Sequence, residues 1–461
     1  MTAGEHGRRV LVAISVAQIA TVLDYYALTI ALPTIADDFD VAPTDLHWVV
    51  TVYLLAFASL LVVGGRLADT LGRRRVLTVG VAGFGLASLA AGLSPTLEVL
   101  LVFRGLQGAC AALLVPASFA ALSGAFADGR RSWAVGTVAG VTSIGTAVGP
   151  FVGGVVTGTV GWRWVFFINI PVCLAGVLLC RWAVPETRDR SAPHGLDLPG
   201  CGLLMVAVVL LVLGIDRAAA WPVPGVVATM LASFALLGLF LWREHRTATP
   251  LIDLSLLTRR GFRAILAAGC LDNHGWALGT FVVTLYLQQV LGISPLEAGA
   301  VFLALSAGAA IGGPLAGRLM EHADAARVMA AGLVASVAGM LWVSLGGSLG
   351  SVVGALFVLG IGVGLAYSVT NIATLATARQ GRAGASMGVT QTAMILTAAI
   401  TYTTGGIVME ALSGGPHPDE QAIATAMRIG ALVVAVGLVV LLPSLRQREP
   451  VPLPEVARAR R

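Results

Sequence analysis

Two carboxylates in this sequence stand where water is scarce. Of 24 acidic residues, Asp24 and Asp272 fall well inside long apolar runs, while the others sit in loops or near the ends of those runs. A charge at mid-bilayer costs about 2.5–3.5 kcal/mol on insertion scales, so an intramembrane carboxylate is read as a candidate proton- or cation-binding group. Arg104 is embedded in the same way. Helices predicted over 10–33 and 97–122 run in opposite directions, and at about 1.5 Å rise per residue Asp24 and Arg104 reach similar depth. That depth lets them face each other across one bundle. A neighbouring cation lowers a carboxylate's pKa and burial raises it, and a group held between those pressures can load and release a proton. A purely structural Asp–Arg pair is the competing reading.

Asp272 lies near the middle of a helix predicted over 262–290, beside Asn273 and His274. Residues 272 and 274 point about 200° apart on a helix and do not share a face. Asp272 is read as a second proton or cation group. His274, Trp276, Tyr25, Tyr26, Gln107, Tyr286 and Gln391 are candidate pocket walls, with ordinary packing as the alternative for each aromatic.

These residues need a membrane frame to position them. The chain is 57% hydrophobic and 11% charged, against about 25% charged in a soluble domain. At about 20 apolar residues per crossing, fourteen spans are predicted: 10–33, 46–65, 76–93, 97–122, 133–157 and 163–183; then 199–215 and 223–242; then 262–290, 296–317, 327–346, 350–372, 384–410 and 421–442. All 29 basic residues are arginine. Apart from Arg104, Arg163, Arg217 and Arg428 they fall on one side of an even-numbered topology, which places both termini in the cytoplasm by the positive-inside rule. The net charge of +5 therefore reflects topology, and no nucleic-acid partner is expected. The five cysteines lie in or at the ends of apolar runs without a CxxC pair, so neither a disulfide framework nor a metal site is expected.

An internal repeat divides the chain. GRLADTLGRRR at 65–75 has an echo, GRLMEHADAAR, at 317–327, and the first and ninth spans begin at the same offset of 252 residues. The implied domains are an N-terminal six-helix bundle (1–190), two inserted helices (191–245), a C-terminal six-helix bundle (246–442) and a cytoplasmic tail (443–461). In the fifth span, GVTSIGTAVGPFVGG sets glycines 145, 149 and 153 four residues apart, a bare stripe against which another backbone can pack, with Pro150 interrupting the helical hydrogen bonding beside it. Ordinary small-residue packing also explains that spacing.

Five stretches carry a family resemblance. DLHWVVTVYLLAFASLLVVGGRLADTLGRRR (45–75), LVFRGLQGACAALLVPAS around Arg104, the glycine-rich fifth span, GWRWVFFINIP (161–171) and PLIDLSLL (250–257) resemble, in order, segments of the fourteen-helix drug:proton antiporter family of the major facilitator superfamily. The resemblance implies an all-α polytopic membrane fold. It also implies an antiporter motif on Gly140, Gly145, Gly149, Pro150, Gly153 and Gly154, and a motif on Arg104, Gln107 and Gly108. Finally, it implies a gate loop of Gly65, Asp69, Gly72, Arg73, Arg74 and Arg75 whose salt bridges hold one access state. The sequence departs from the family at Tyr25 and Tyr26, which follow the acid of the first span, and in the glycine-poor thirteenth span.

The expected function is proton-driven export of a lipophilic small molecule by a monomer in the cytoplasmic membrane, using an ion gradient and no cofactor. An uptake symporter on the same fold stays open. A receptor or membrane enzyme is the remaining class, and the chain carries no HExxH, GxSxG or phosphate-loop motif to support it.

Overall fold

The structure, a computed structural model, describes residues 3–41, 47–126, 128–187, 197–218, 221–247, 250–252, 254–378, 382–413 and 420–446. The tail beyond 446 and the predicted domain boundary at 190/191 lie outside the described residues, as does the side chain of Pro150. Among the described residues there are helices and no strands. This is what a bilayer demands, since a helix satisfies every backbone N–H and C=O within its own segment.

The first half consists of α1 (Ala3–Phe39), α2 (His47–Leu71), α3 (Arg73–Gly92), α4 (Leu97–Ala125), α5 (Asp128–Thr159), the short α6 (Arg163–Phe167) and α7 (Asn169–Ala183). Two helices follow, α8 (Leu198–Asp216) and α9 (Val223–Glu244), then a short α10 (Leu254–Thr258). The second half consists of α11 (Arg260–Leu285), extended by a π-helical turn Tyr286–Val290, then α12 (Pro295–Leu319), α13 (Ala325–Val343), α14 (Leu349–Thr377), α15 (Ala383–Ser413) and α16 (Glu420–Arg446). The sixth predicted span is thus two helices meeting at Ile168, and α16 runs past the predicted start of the tail at 443. Among the described residues twelve helical spans, one of them made by α6 and α7 together, are long and apolar enough to cross a membrane. The two remaining long helices are α5, rich in glycine and threonine, and α11, which carries Asp272, Asn273 and His274 together with Arg260 and Arg263.

The repeat is visible in register. α3 and α13 begin at 73 and 325, and α4 and α14 at 97 and 349, the same 252-residue offset as the sequence echo. Even the caps correspond: Thr96 accepts from Val99 N, and Ser348 from Ser351 N. Each half buries its own apolar core, one built around Phe84, Phe119 and Leu77, the other around Leu333, Leu356 and Met340. The halves meet where α5 packs on α12 and α2 on α15, both through glycine. A Cβ on Gly65 would overlap the Gly384 carbonyl, and a Cβ on Gly317 would come 2.8 Å from the Ser132 carbonyl oxygen, its counterpart at the 252-residue offset. Backbones approach this closely only where side chains are missing.

Candidate functional site

Asp24 sits on α1 with no exposed surface. Its Oδ2 accepts from Arg104 Nη1 at 2.6 Å, and its Oδ1 accepts from Asn169 Nδ2 at 2.7 Å and Gln107 Nε2 at 3.2 Å. Arg104 also donates through Nε to the Val49 carbonyl at 3.0 Å and through Nη1 to Gln107 Oε1 at 2.8 Å. Ser88 Oγ closes the set, accepting from Gln107 and Asn169 at 2.9 Å each. Five helices of the first half converge here: α1, α3, α4 and α7 through side chains, and α2 through the Val49 carbonyl. A buried carboxylate facing a guanidinium and two amides is compensated on both oxygens, which is the condition for holding charge away from water. Arg104 Nη2 is buried without a hydrogen-bond partner among the described residues.

Sequence reasoning picked out Asp24, Arg104 and Gln107, and missed Ser88 and Asn169. Asn169 lies inside the quoted GWRWVFFINIP stretch, where the polar residue in an apolar run was the available signal. Among the described residues the second half holds no copy of this network. At the 252-residue offset, Ser88, Arg104 and Gln107 correspond to Met340, Leu356 and Leu359, all fully buried apolar residues.

A cavity of about 310 Å³ lies between the halves. Tyr25, Tyr26, Trp276 and Gln391 line it, as do Tyr53, Tyr367 and Tyr402, which sequence reasoning did not single out. Gln391 Nε2 donates to the Tyr367 hydroxyl at 3.0 Å. Tyr53 belongs to both places: its ring lines the cavity, and the Arg104 guanidinium stands 4.5 Å from its centroid. Three of the pocket candidates lie elsewhere. Gln107 is in the buried network. His274 turns from the cavity to Thr401, Nδ1 to Oγ1 at 2.9 Å, while its neighbours Asn273 and Trp276 face the opening. Tyr286 is in the π-helical turn, its hydroxyl 3.5 Å from the Gly347 carbonyl.

Asp272 is 1% exposed, and its Oδ1 has no hydrogen-bond partner among the described residues. It lies away from the cavity, on the side of α11 where Gly269 meets Thr370 and Gly275 meets Met340. The structure therefore does not bring Asp272 into the Asp24 network.

The glycine motif of α5 serves two partners. Gly140 packs on α12, where an added Cβ would stand 2.8 Å from the Ala310 carbonyl oxygen. Gly145, Gly149 and Gly153 pack on α1, against Val22, Tyr26 and Ala27; a Cβ on Gly149 would lie 2.6 Å from that of Tyr26. The stripe thus sets how closely α5 approaches the turn of α1 that follows Asp24. Gly154 is half-buried on the next face.

The expected gate loop is one residue long. Asp69 lies in the last turn of α2 and Arg73 opens α3, with Gly72 alone between them at φ 113°, a left-handed conformation that favours glycine. Asp69 is buried, and its two oxygens accept from the backbone N–H groups of Gly384 and Ala385 at 3.1 Å each. A carboxylate here meets the positive end of α15, a helix of the other half. Arg73 Nη2 stands 3.8 Å from Asp69 Oδ1. Arg74 and Arg75 turn instead to Glu186, at 3.5 and 3.7 Å. Glu321, which echoes Asp69 in the second half, is exposed.

A sequence model described as the Major Facilitator Superfamily matches residues 14–401, with a second match over 264–461. The chain is 33% identical to a tetracenomycin C resistance and export protein of Streptomyces glaucescens over 91% of this chain and 79% of that one. It is 32% identical to the multidrug efflux pump LfrA of Mycolicibacterium smegmatis (90% and 85%) and 33% identical to the cephamycin export protein CmcT of Amycolatopsis lactamdurans (95% and 93%). The fold is similar to the crystal structure of the human organic anion transporter MFSD10, with a TM-score of 0.70 over 94% of this chain and 99% of that one at 16% identity.

Proposed function

The chain belongs to the major facilitator superfamily, and on that premise we propose that it is a proton-coupled antiporter exporting lipophilic small molecules, such as drugs, antibiotics or secondary metabolites, across the cytoplasmic membrane. Family and fold point to a transporter rather than an enzyme. The observation that carries the coupling is Asp24: a fully buried carboxylate, held by Arg104, that lies behind one wall of an aromatic cavity, with Tyr53 as that wall. Relatives named as exporters, matched over most of their length, support the direction.

In this reading the twelve apolar spans together with α5 and α11 make fourteen, with both termini cytoplasmic. The bundles of 1–190 and 246–442 rock about the cavity as a monomer in the lipid bilayer. The Asp69 end is the cytoplasmic end, and the bonds to Gly384 and Ala385 hold it shut, so the cavity is offered to the outside. Protonation of Asp24 releases Arg104 from its partner, and the cation then turns to the Tyr53 ring in the cavity wall, where it competes with the occupant and weakens substrate binding, so that proton and substrate exclude one another. Return of the proton to the cytoplasm restores the pair. Each proton supplies about 2.3 kcal/mol per 100 mV of membrane potential. Asp272 is the second proton-binding candidate, and no cofactor is required.

The test uses everted vesicles from cells expressing the chain, with an acid lumen and a panel of lipophilic antibiotics and dyes supplied outside. Substrate accumulation and lumenal pH are followed before and after the gradient is collapsed. Accumulation coupled to proton exit is expected. Accumulation indifferent to the proton gradient would overturn proton coupling, and substrate movement in the opposite direction would identify an uptake symporter.

A further inference from the structure

The helix pair between the two halves reads from sequence as an insertion, and one of its helices reaches the cavity. Along α8, Cys201, Leu204, Val208, Val212 and Ile215 are buried at three- and four-residue spacing, which is one helical face. That face packs on Ala58, Val62 and Val63 of α2 and on Val389, Ile395 and Leu396 of α15. A different face holds α9, where Ser233 Oγ donates to the Ala207 carbonyl at 2.7 Å, and Val206 is left 50% exposed.

The location follows from how α2 and α15 separate. At the Asp69 end their backbones touch through Gly65 and Gly384, then through Leu61 and Gly388. One step further, Thr392 Oγ1 donates to the Ala58 carbonyl at 3.3 Å. Beyond that point the two helices part to flank the cavity. Val212 of α8 lines the opening beside Leu54 and Phe57 of α2 and Ala398 and Ala399 of α15. Past Val212, α8 is fastened to both sides: Thr403 Oγ1 of α15 donates to the Ile215 carbonyl at 3.3 Å, and the Arg217 guanidinium, at the end of α8, lies 4.5 Å from the centroid of the α2 ring Trp48.

We propose that α8 is part of the substrate-binding site, with Val212 as an apolar contact that sets the size of the ligand, and that its seam face closes the cavity to lipid between α2 and α15. This rests on the exporter reading for the identity of the ligand as a lipophilic molecule. The wall itself does not depend on that reading.

Two measurements separate the claims. In a protein with its five cysteines replaced, Val212→Cys and Val206→Cys are treated in intact cells with a membrane-impermeant thiol reagent. Val212→Cys should react, and Val206→Cys, facing lipid, should not; equal reactivity would overturn the wall. Val212→Trp and Val206→Trp are then compared in efflux against dyes and antibiotics of graded size, with protein abundance measured alongside. Val212→Trp should lower export of the largest by about tenfold or more while sparing the smallest, on the scale at which apolar pockets discriminate by volume, and Val206→Trp should match wild type. Identical profiles for the two variants would overturn the role in specificity. A wild-type protein that exports nothing, alongside a Val212→Cys variant that labels, would remove the exporter reading and leave the wall standing.

Discussion

Asp24 and Arg104 were legible in the sequence because charge in an apolar run is costly and therefore conspicuous. Ser88, Asn169 and Tyr53 were missed, since a neutral polar or aromatic side chain is less conspicuous there than a charge, although Asn169 does interrupt the apolar stretch around it. Asp69 was conspicuous too, but its partners, Gly384 and Ala385, lie more than 300 residues away and contribute only backbone, which no sequence pattern marks. The chemistry at Asp24 predicts that Asp24→Asn retains size and hydrogen bonding yet loses uphill export, with downhill exchange of substrate surviving. Asp24→Glu retains a carboxylate in altered solvation and should export with a shifted pH profile. Both are read in everted vesicles, and undiminished gradient-driven accumulation by Asp24→Asn would move the coupling role to Asp272. Tyr53 gives a finer test. Tyr53→Phe retains the ring over Arg104 and should export nearly as wild type, whereas Tyr53→Leu removes a cation–π contact worth about 2 kcal/mol or more when desolvated. The leucine variant should still move substrate down its gradient while proton movement becomes uncoupled from it.

Helical periodicity shows which residues share a face but not which neighbour that face meets. It grouped the glycines of α5 correctly and could not reveal that Gly140 serves α12 while Gly149 and Gly153 serve α1. Gly149→Val places a branched side chain against Tyr26, and overpacking costs about 1–3 kcal/mol. Reduced efflux with a lowered melting temperature in detergent is expected, and normal values of both would show that α5 and α1 do not pack through Gly149. The contact between α2 and α15 calls for a different readout, because in the proposed mechanism Asp69 acts on an equilibrium between access states. Asp69→Asn removes the charge that faces the positive end of α15, an interaction worth about 0.3–1 kcal/mol in exposed settings and up to about 2 when partly buried. A loss of 1–2 kcal/mol shifts such an equilibrium by about 5- to 30-fold. Transport should fall while abundance and topology stay as in wild type. Cysteine cross-linking between the two helices at this end should weaken in the variant, and unchanged cross-linking would show that the carboxylate is not the latch.

At the scale of the whole molecule, the 252-residue offset was readable from two sequence landmarks and recurs in the starts of α3, α4, α13 and α14. What the offset conceals is asymmetry: one half carries the Asp24 network and the Asp69 latch, and the other has leucines and an exposed Glu321 at the corresponding places. In the fourteen-span reading, two halves that differ in this way still share one orientation, because an even number of crossings separates them. Reporters fused after Arg190 and at the C-terminal tail should therefore both read cytoplasmic, and opposite sides would sink the fourteen-span topology. Removing 199–242 with a rejoining linker deletes two crossings and leaves that parity intact, so both reporters should keep their side. The seam residues of α2 and α15 that α8 covers are apolar, and lipid tails solvate them about as well as α8 does; the shortened protein should accumulate and fold. Its cavity, however, loses Val212 and the seal above it. Export of lipophilic dyes should become weaker and less selective by size while Asp24-dependent proton movement persists. A misoriented second half would count against the pair being an insertion between two complete bundles, and an unchanged substrate profile would show that the cavity is complete without α8.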